Sequence, residues 1–179
     1  MNLYFRLLKL ILALLLKRRK LGLHETSVLP GRVWPTDLDN NLHMNNGRYL
    51  TLMDLGRFDL VARAGFLPSI LKNHWFPVLG AARISYYRPL KPFRTYLLKT
   101  QLVAWDEKWL YLRQEFESEG KLCARAYVQG LFLSSNGKVS TKDLFAIVGF
   151  TQDPPPFPGD LVEWRRPLQA PASATLTKE

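Results

Sequence analysis

Asp39, Asn41 and His43 alternate along one polar stretch, 36–49, which also holds Thr36, Asp37, Asn45, Asn46, Gly47 and Tyr49. Polar groups this dense ordinarily make a solvated loop. Here they lead straight into a helix start, where free backbone N–H groups and the positive end of the dipole collect. A carboxylate, an amide, an imidazole and a helix N-terminus together can polarise and attack a carbonyl. The stretch therefore reads as an active site.

The order Asp39-x-Asn41-x-His43-x-Asn45-Asn46-x-x-Tyr49 resembles the signature of hotdog-fold acyl thioesterases, and plant acyl-ACP thioesterases share its D-x-N-x-H-x-N-N core. The wider pattern, Pro30-Gly31-Arg32-Val33 through Arg48-Tyr49-Leu50, is most similar to the thioesterase superfamily member six group. The resemblance runs over about 29–150 and is strongest in 30–60. It implies that Asp39 is the general base on water or the nucleophile on the thioester carbonyl, with Asn41 and His43 orienting the reactants. Backbone amides near Gly47 are then candidate donors to the carbonyl oxygen, and Asn46, Gly47 and Tyr49 are expected against substrate. The same resemblance implies a homodimer or larger assembly with the site at the subunit interface.

Competing readings of the same residues are specific. Asp39 also suits a turn, as aspartate commonly does. His43 also suits a structural hydrogen bond, and Asn46 a helix cap. Asp37, Asp39 and Asn41 open like a calcium loop, but Leu42 and Arg48 stand where that loop needs Gly and Glu. Asp37 follows the end of a strand, where tying down the turn is its expected task. Asp54 and Arg57 form an i,i+3 pair. Arg83, Arg88, Lys91 and Arg94 read as a solvated rim or as a holder of coenzyme A phosphates. His24 and His74 stand alone. No G-x-S-x-G, phosphate loop or H-E-x-x-H occurs, which removes serine hydrolase, nucleotide hydrolase and zinc protease chemistry.

These residues must be positioned by the elements around them. Residues 27–35 read as an extended segment that Pro30 and Pro35 confine to an edge or to strand ends. A helix is expected from Gly47 to Ala64, with Asn46 as N-cap and Gly65 just past its end. Tyr49, Leu52, Met53, Leu60 and Ala64 share one face of it, and Gly56 in mid-helix signals close packing on a sheet. The period then changes to two, predicting strands at 76–87, 94–105, 109–117 and 122–134. Their short links predict antiparallel neighbours. Ser140 or Thr141 caps a short helix. One long helix and four or five antiparallel strands bury their apolar faces only against each other. The expected class is α+β, and the hotdog arrangement follows from the resemblance.

The 179 residues, 47% of them hydrophobic, suit a single domain with a sizeable core. The organisation expected is a hydrophobic and basic helix over 1–21, a thioesterase domain over 27–152, and a Pro-rich extension and tail over 153–179. The formal charge is +10. Arg6, Lys9, Lys17, Arg18, Arg19 and Lys20 carry much of it in the first twenty residues, so a nucleic-acid partner is not expected. The apolar run before Lys17 is too short to span a bilayer and reads as an interfacial helix against anionic headgroups, with packing on the domain or on a partner chain as the alternative. Cys123 is the single cysteine, which fits a reducing cytoplasmic compartment. The expected protein is thus a hydrolase of acyl-CoA or acyl-ACP at the cytoplasmic membrane surface, needing no cofactor and no metal. A non-catalytic acyl binder on the same fold is the competing class.

Overall fold

The period-two stretches become strands and the helical stretch becomes one long helix, with ends within a residue or two of those expected. The computed structural model describes residues 3–16, 19–151 and 153–168 (the last three by backbone alone). Lys17, Arg18 and the expected tail at 170–179 lie outside the described residues. Helix α1 (Leu3–Leu15) precedes β1 (Ser27–Arg32), a turn of 3₁₀ helix (Pro35–Asp37), α2 (Asn46–Arg63) and α3 (Leu67–Lys72). There follow β2 (Phe76–Tyr86), β3 (Thr95–Trp105), β4 (Leu110–Ser118), β5 (Lys121–Ser134), the two-residue β6 (Gly137–Lys138), α4 (Thr141–Ala146) and α5 (Gly159–Leu168).

The main path of the sheet runs β1-β3-β4-β5-β2, with every pairing antiparallel and β6 added to β5. β1 is an edge strand, as its Pro30 requires. The expectation that short links join neighbours fails between β2 and β3, which β5 and β4 separate. Three interstrand spacings amount to roughly 14 Å, and a chain of eight residues reaches up to about 26 Å. The link at 87–94 therefore crosses the end of the sheet rather than turning back. Its Leu90 is buried in the core and its carbonyl accepts from Met44 N–H at 2.9 Å.

α2 lies on this sheet through Tyr49, Leu52, Met53, Leu55, Gly56, Asp59 and Leu60. A Cβ at Gly56 would stand 2.5 Å from Thr100 Oγ1 and 3.0 Å from Leu98 Cδ2, so glycine is what lets helix and sheet approach. Opposite it, Gln114 interrupts the apolar alternation of β4. Its fully buried amide donates to Met53 O at 3.0 Å and to Thr100 Oγ1 at 2.9 Å, while Arg57 Nη1 donates to its oxygen at 2.7 Å. The break in the pattern is a satisfied polar bridge between helix and sheet.

α1 packs on α2 and on the same core with Leu3, Leu7, Leu10 and Leu14, while Tyr4, Phe5, Leu8, Leu12 and Leu15 face outward. No helix among the described residues is long and apolar enough to cross a membrane. Past the prolines, α5 buries Leu161 completely against Ala104, Tyr111 and Tyr127, and Tyr127 Oη donates to Asp160 at 2.6 Å. The prolines interrupt the regular elements there, but α5 and its packing on the sheet continue beyond them.

Candidate active site

Asp39 to His43 form a tight loop closed from both sides. Asp39 N–H donates to His43 O at 2.8 Å, Leu42 N–H donates to Asp39 O at 3.1 Å, and Leu38 bridges Met44. Leu42 takes a left-handed φ of 57° to make the turn. Asp39 Oδ1 accepts from Asn41 N–H at 2.9 Å and from His43 N–H at 3.3 Å. Asp39 Oδ2 bonds to nothing among the described residues, and the residue is half-buried. The geometry thus brings Asp39, Asn41 and His43 together through backbone bonds to one carboxylate oxygen and leaves the other oxygen accessible.

Asp37, two residues earlier, has the opposite surroundings. It is fully buried, accepts from Trp34 N–H at 2.9 Å and from Arg48 Nε at 3.0 Å, and forms an ion pair with Arg6 of α1. Its carbonyl also accepts from Asn45 N–H at 2.8 Å. A carboxylate held by two guanidiniums and a backbone N–H is saturated and shielded from any ligand. It locks the loop to the first turn of α2 and to α1.

The N-cap of α2 is Asn45, one residue before the expected Asn46. The asparagine whose side chain points back at the turn takes the capping role: Asn45 Oδ1 accepts from Gly47 N–H at 2.8 Å. That bond occupies one of the expected oxyanion donors and leaves Asn46 N–H as the open amide of the first turn. Asn46 itself is exposed, and its carbonyl accepts from Tyr86 Oη at 3.2 Å. Tyr49 is buried edge-on between Tyr86 and Phe116, with ring centroids 5.1 and 5.0 Å away. Burial above all pushes its pKa up to about 12, and the nearby Asp39 charge adds to this. The Tyr49 hydroxyl is therefore a neutral group beside Asp39.

Of the rim cations, Arg94 pairs with Glu119. Arg88 and Lys91 are exposed and flank Leu90, whose carbonyl holds the loop at Met44. Arg57 pairs with Asp54 as its spacing requires. His24 is exposed, with its ring tilted against Trp105 and edge-on to Phe150. Three groups escape a reading of the sequence: Arg6, Arg48 and Tyr86. Only Arg6 carries a signal, as a lone cation on the face of α1 that Leu3, Leu7, Leu10 and Leu14 share.

Residues 33–165 match the family model described as thioesterase-like superfamily. Protein THEM6 of Drosophila melanogaster is 34% identical over 116 residues, covering 64% of this chain and 60% of that protein. The chain spans 54% to 64% of the length of the first curated relatives it matches. Among solved structures, YbaW of Escherichia coli is similar with a TM-score of 0.63 at 21% identity, over 68% of this chain and 95% of that one. SAV2348 of Staphylococcus aureus, solved in complex with CoA, is similar with a TM-score of 0.61 at 15% identity, over 79% of this chain and 95% of that one. At these identities the two structures establish the fold alone, which is the hotdog fold.

Proposed function

The chain belongs to the thioesterase-like superfamily, and from that premise we propose that it hydrolyses acyl thioesters to a free acid and a thiol, with Asp39 as the reacting carboxylate. The observation that carries this reading is the contrast between two neighbouring acids. Asp37 is saturated by cations, whereas Asp39 keeps one oxygen accessible beside a helix N-terminus. Asp39 takes a proton from water as the water oxygen attacks the carbonyl carbon, or attacks that carbon itself to form an anhydride that water then hydrolyses. Asn46 N–H supports the oxygen that gains charge, the C–S bond breaks, and the thiolate leaves and is protonated. Asn41 and His43 orient water and substrate from the same loop.

Acyl-CoA is the favoured substrate class, supported by the CoA complex of SAV2348 and by the exposed Arg88 and Lys91 beside the loop. Acyl carrier protein is the alternative thiol. The unpaired edge of β2, with Phe76, Leu79, Tyr86 and Tyr87 exposed, supports a homodimer that covers it. Because Tyr86 bonds to Asn46, such a dimer closes next to the site. The exposed apolar face of α1, followed by exposed Arg19 and Lys20, supports residence at the cytoplasmic membrane surface through residues 1–20.

Thiol release by the full chain, measured over a panel of acyl-CoA and acyl-carrier substrates, tests the proposal. Turnover on at least one class is expected. Tight acyl-CoA binding with no thiol release would make the protein an acyl binder instead.

A further inference from the structure

We propose that the cavity beneath α1 binds a single-chain anionic amphiphile at a site separate from the thioester loop. The inference does not rest on the hydrolytic reading. The cavity has a volume of about 520 Å³, within the range of small-molecule sites. Its walls are apolar: Leu10 and Ala13 of α1, Leu52 and Leu55 of α2, Leu29 of β1 and Leu98 of β3. At about 30 Å³ for a methylene-sized group, roughly the share of one water, it holds one long chain and not two. None of Asp39, Asn41, His43, Asn46, Gly47 or Tyr49 lines it.

The charged groups of the lining are Arg6, Lys9 and Arg32, and among the described residues none of the lining groups is acidic. Lys9 and Arg32 are exposed, whereas the side chain of Arg6 is only 7% exposed. Arg6 bonds to Asp37, to Tyr96 Oη at 3.1 Å and to Arg32 O at 3.3 Å, yet its buried Nε–H has no acceptor among the described residues. Asp37 is shared with Arg48, so one carboxylate faces two guanidiniums and the cluster keeps a net positive charge. Two guanidiniums on one buried carboxylate leave a surplus of positive charge, which is unfavourable where water is excluded. One anionic head beside Arg6 offsets that surplus, with its chain in the leucine-lined space and Lys9 and Arg32 near the solvent. Carboxylate and phosphate heads share this chemistry, so a fatty acid and a lysophosphatidate are the two sources.

Equilibrium dialysis of the detergent-free full chain against radiolabelled palmitate and lysophosphatidate, paired with thermal unfolding, tests the site. Saturable binding of at least one probe, near one per chain and with a raised melting temperature, is expected. Which probe binds more tightly identifies the head. Hexadecanol, with the chain but no charge, should bind at least tenfold more weakly. Ala13→Trp fills the space without touching Arg6, and the exposed pair Lys9→Glu with Arg32→Glu reverses the charge near the solvent without disturbing the core. Each should weaken binding at least tenfold. Asp39→Asn should bind as wild type does. No saturable binding of either probe, hexadecanol binding equally well, or wild-type affinity in the charge-reversed protein would overturn the proposal. Loss of binding in Asp39→Asn would also overturn it, by moving the ligand to the thioester loop.

Discussion

Asp37 and Asp39 share a loop and a chemistry but not an environment. The buried Asp37 neutralises part of the charge of Arg6 and Arg48, so Asp37→Asn leaves two guanidiniums without a carboxylate. Removing one partner of a buried ion pair typically costs about 3–5 kcal/mol. Urea denaturation should register a loss of that order, with activity per folded molecule nearly kept. His43 holds the loop through its backbone, and its ring is proposed only to orient reactants, so His43→Ala should lower turnover less than any change at Asp39. Tyrosines give a separate signature. Burial pushes the pKa of both Tyr49 and Tyr96 from the ordinary 10.0 to about 12. A raised folded-state pKa stabilises below pH 10 and is lost as the pH climbs toward 12. Unfolding should therefore become easier across that window, while a tyrosinate absorbance titration finds five groups, Tyr49, Tyr86, Tyr96, Tyr111 and Tyr127, ionising above the usual range because burial raises each of them. A folded protein whose tyrosines all ionise near 10 would contradict the burial of these hydroxyls.

At the scale of elements, α2 carries the loop and Gly56 sets its distance from the sheet. Alanine gains about 1 kcal/mol of helix propensity over glycine. Overpacking against the sheet costs about 1–3 kcal/mol, and the 2.5 Å approach of Thr100 Oγ1 makes that cost the larger one. Gly56→Ala should lower the midpoint of thermal unfolding, and a rise would show that the helix has room to shift. The apolar face of α2, its terminating Gly65 and the four main strands were legible because local periodicity encodes them. The cap at Asn45 was missed by one residue, because two adjacent asparagines are equivalent until the turn geometry chooses. The link at 87–94 was misread because linker length bounds a distance and does not say which strand lies at the other end. Arg6 meets Asp37 across a gap of 31 positions, which no local pattern reports.

For the whole molecule, the outward face of α1 and the unpaired edge of β2 are the surfaces that ask for partners. α1 is docked through Arg6 and Leu10, so deleting it would strip a buried ion pair as well as the proposed lipid contact. Replacing outward residues is the cleaner change: Phe5→Ser with Leu8→Ser and Leu12→Ser should shift the chain from membrane to supernatant on flotation with anionic vesicles. Unchanged flotation would count against the lipid contact. Light scattering should give at least twice the 20.7 kDa chain mass. Leu79→Lys on the β2 edge should reduce that mass, and a wild-type monomer would leave the edge unexplained. The expected assembly rests on the resemblance and on the edges that a single sheet leaves exposed, since a single sequence carries no record of which edge is covered.

Steady-state turnover of wild type and Asp39→Asn, on whichever acyl thioester the wild type cleaves best, bears most directly on the chemistry of the loop. The substitution keeps the shape and the bonds from Asn41 and His43 while removing the charge. Loss of a positioned general base costs about 10²- to 10⁴-fold in rate, which is roughly 3 to 5 kcal/mol of barrier. A fall in that range, in protein that unfolds at the wild-type temperature, is the expected result. A folded Asp39→Asn enzyme with wild-type turnover would contradict it.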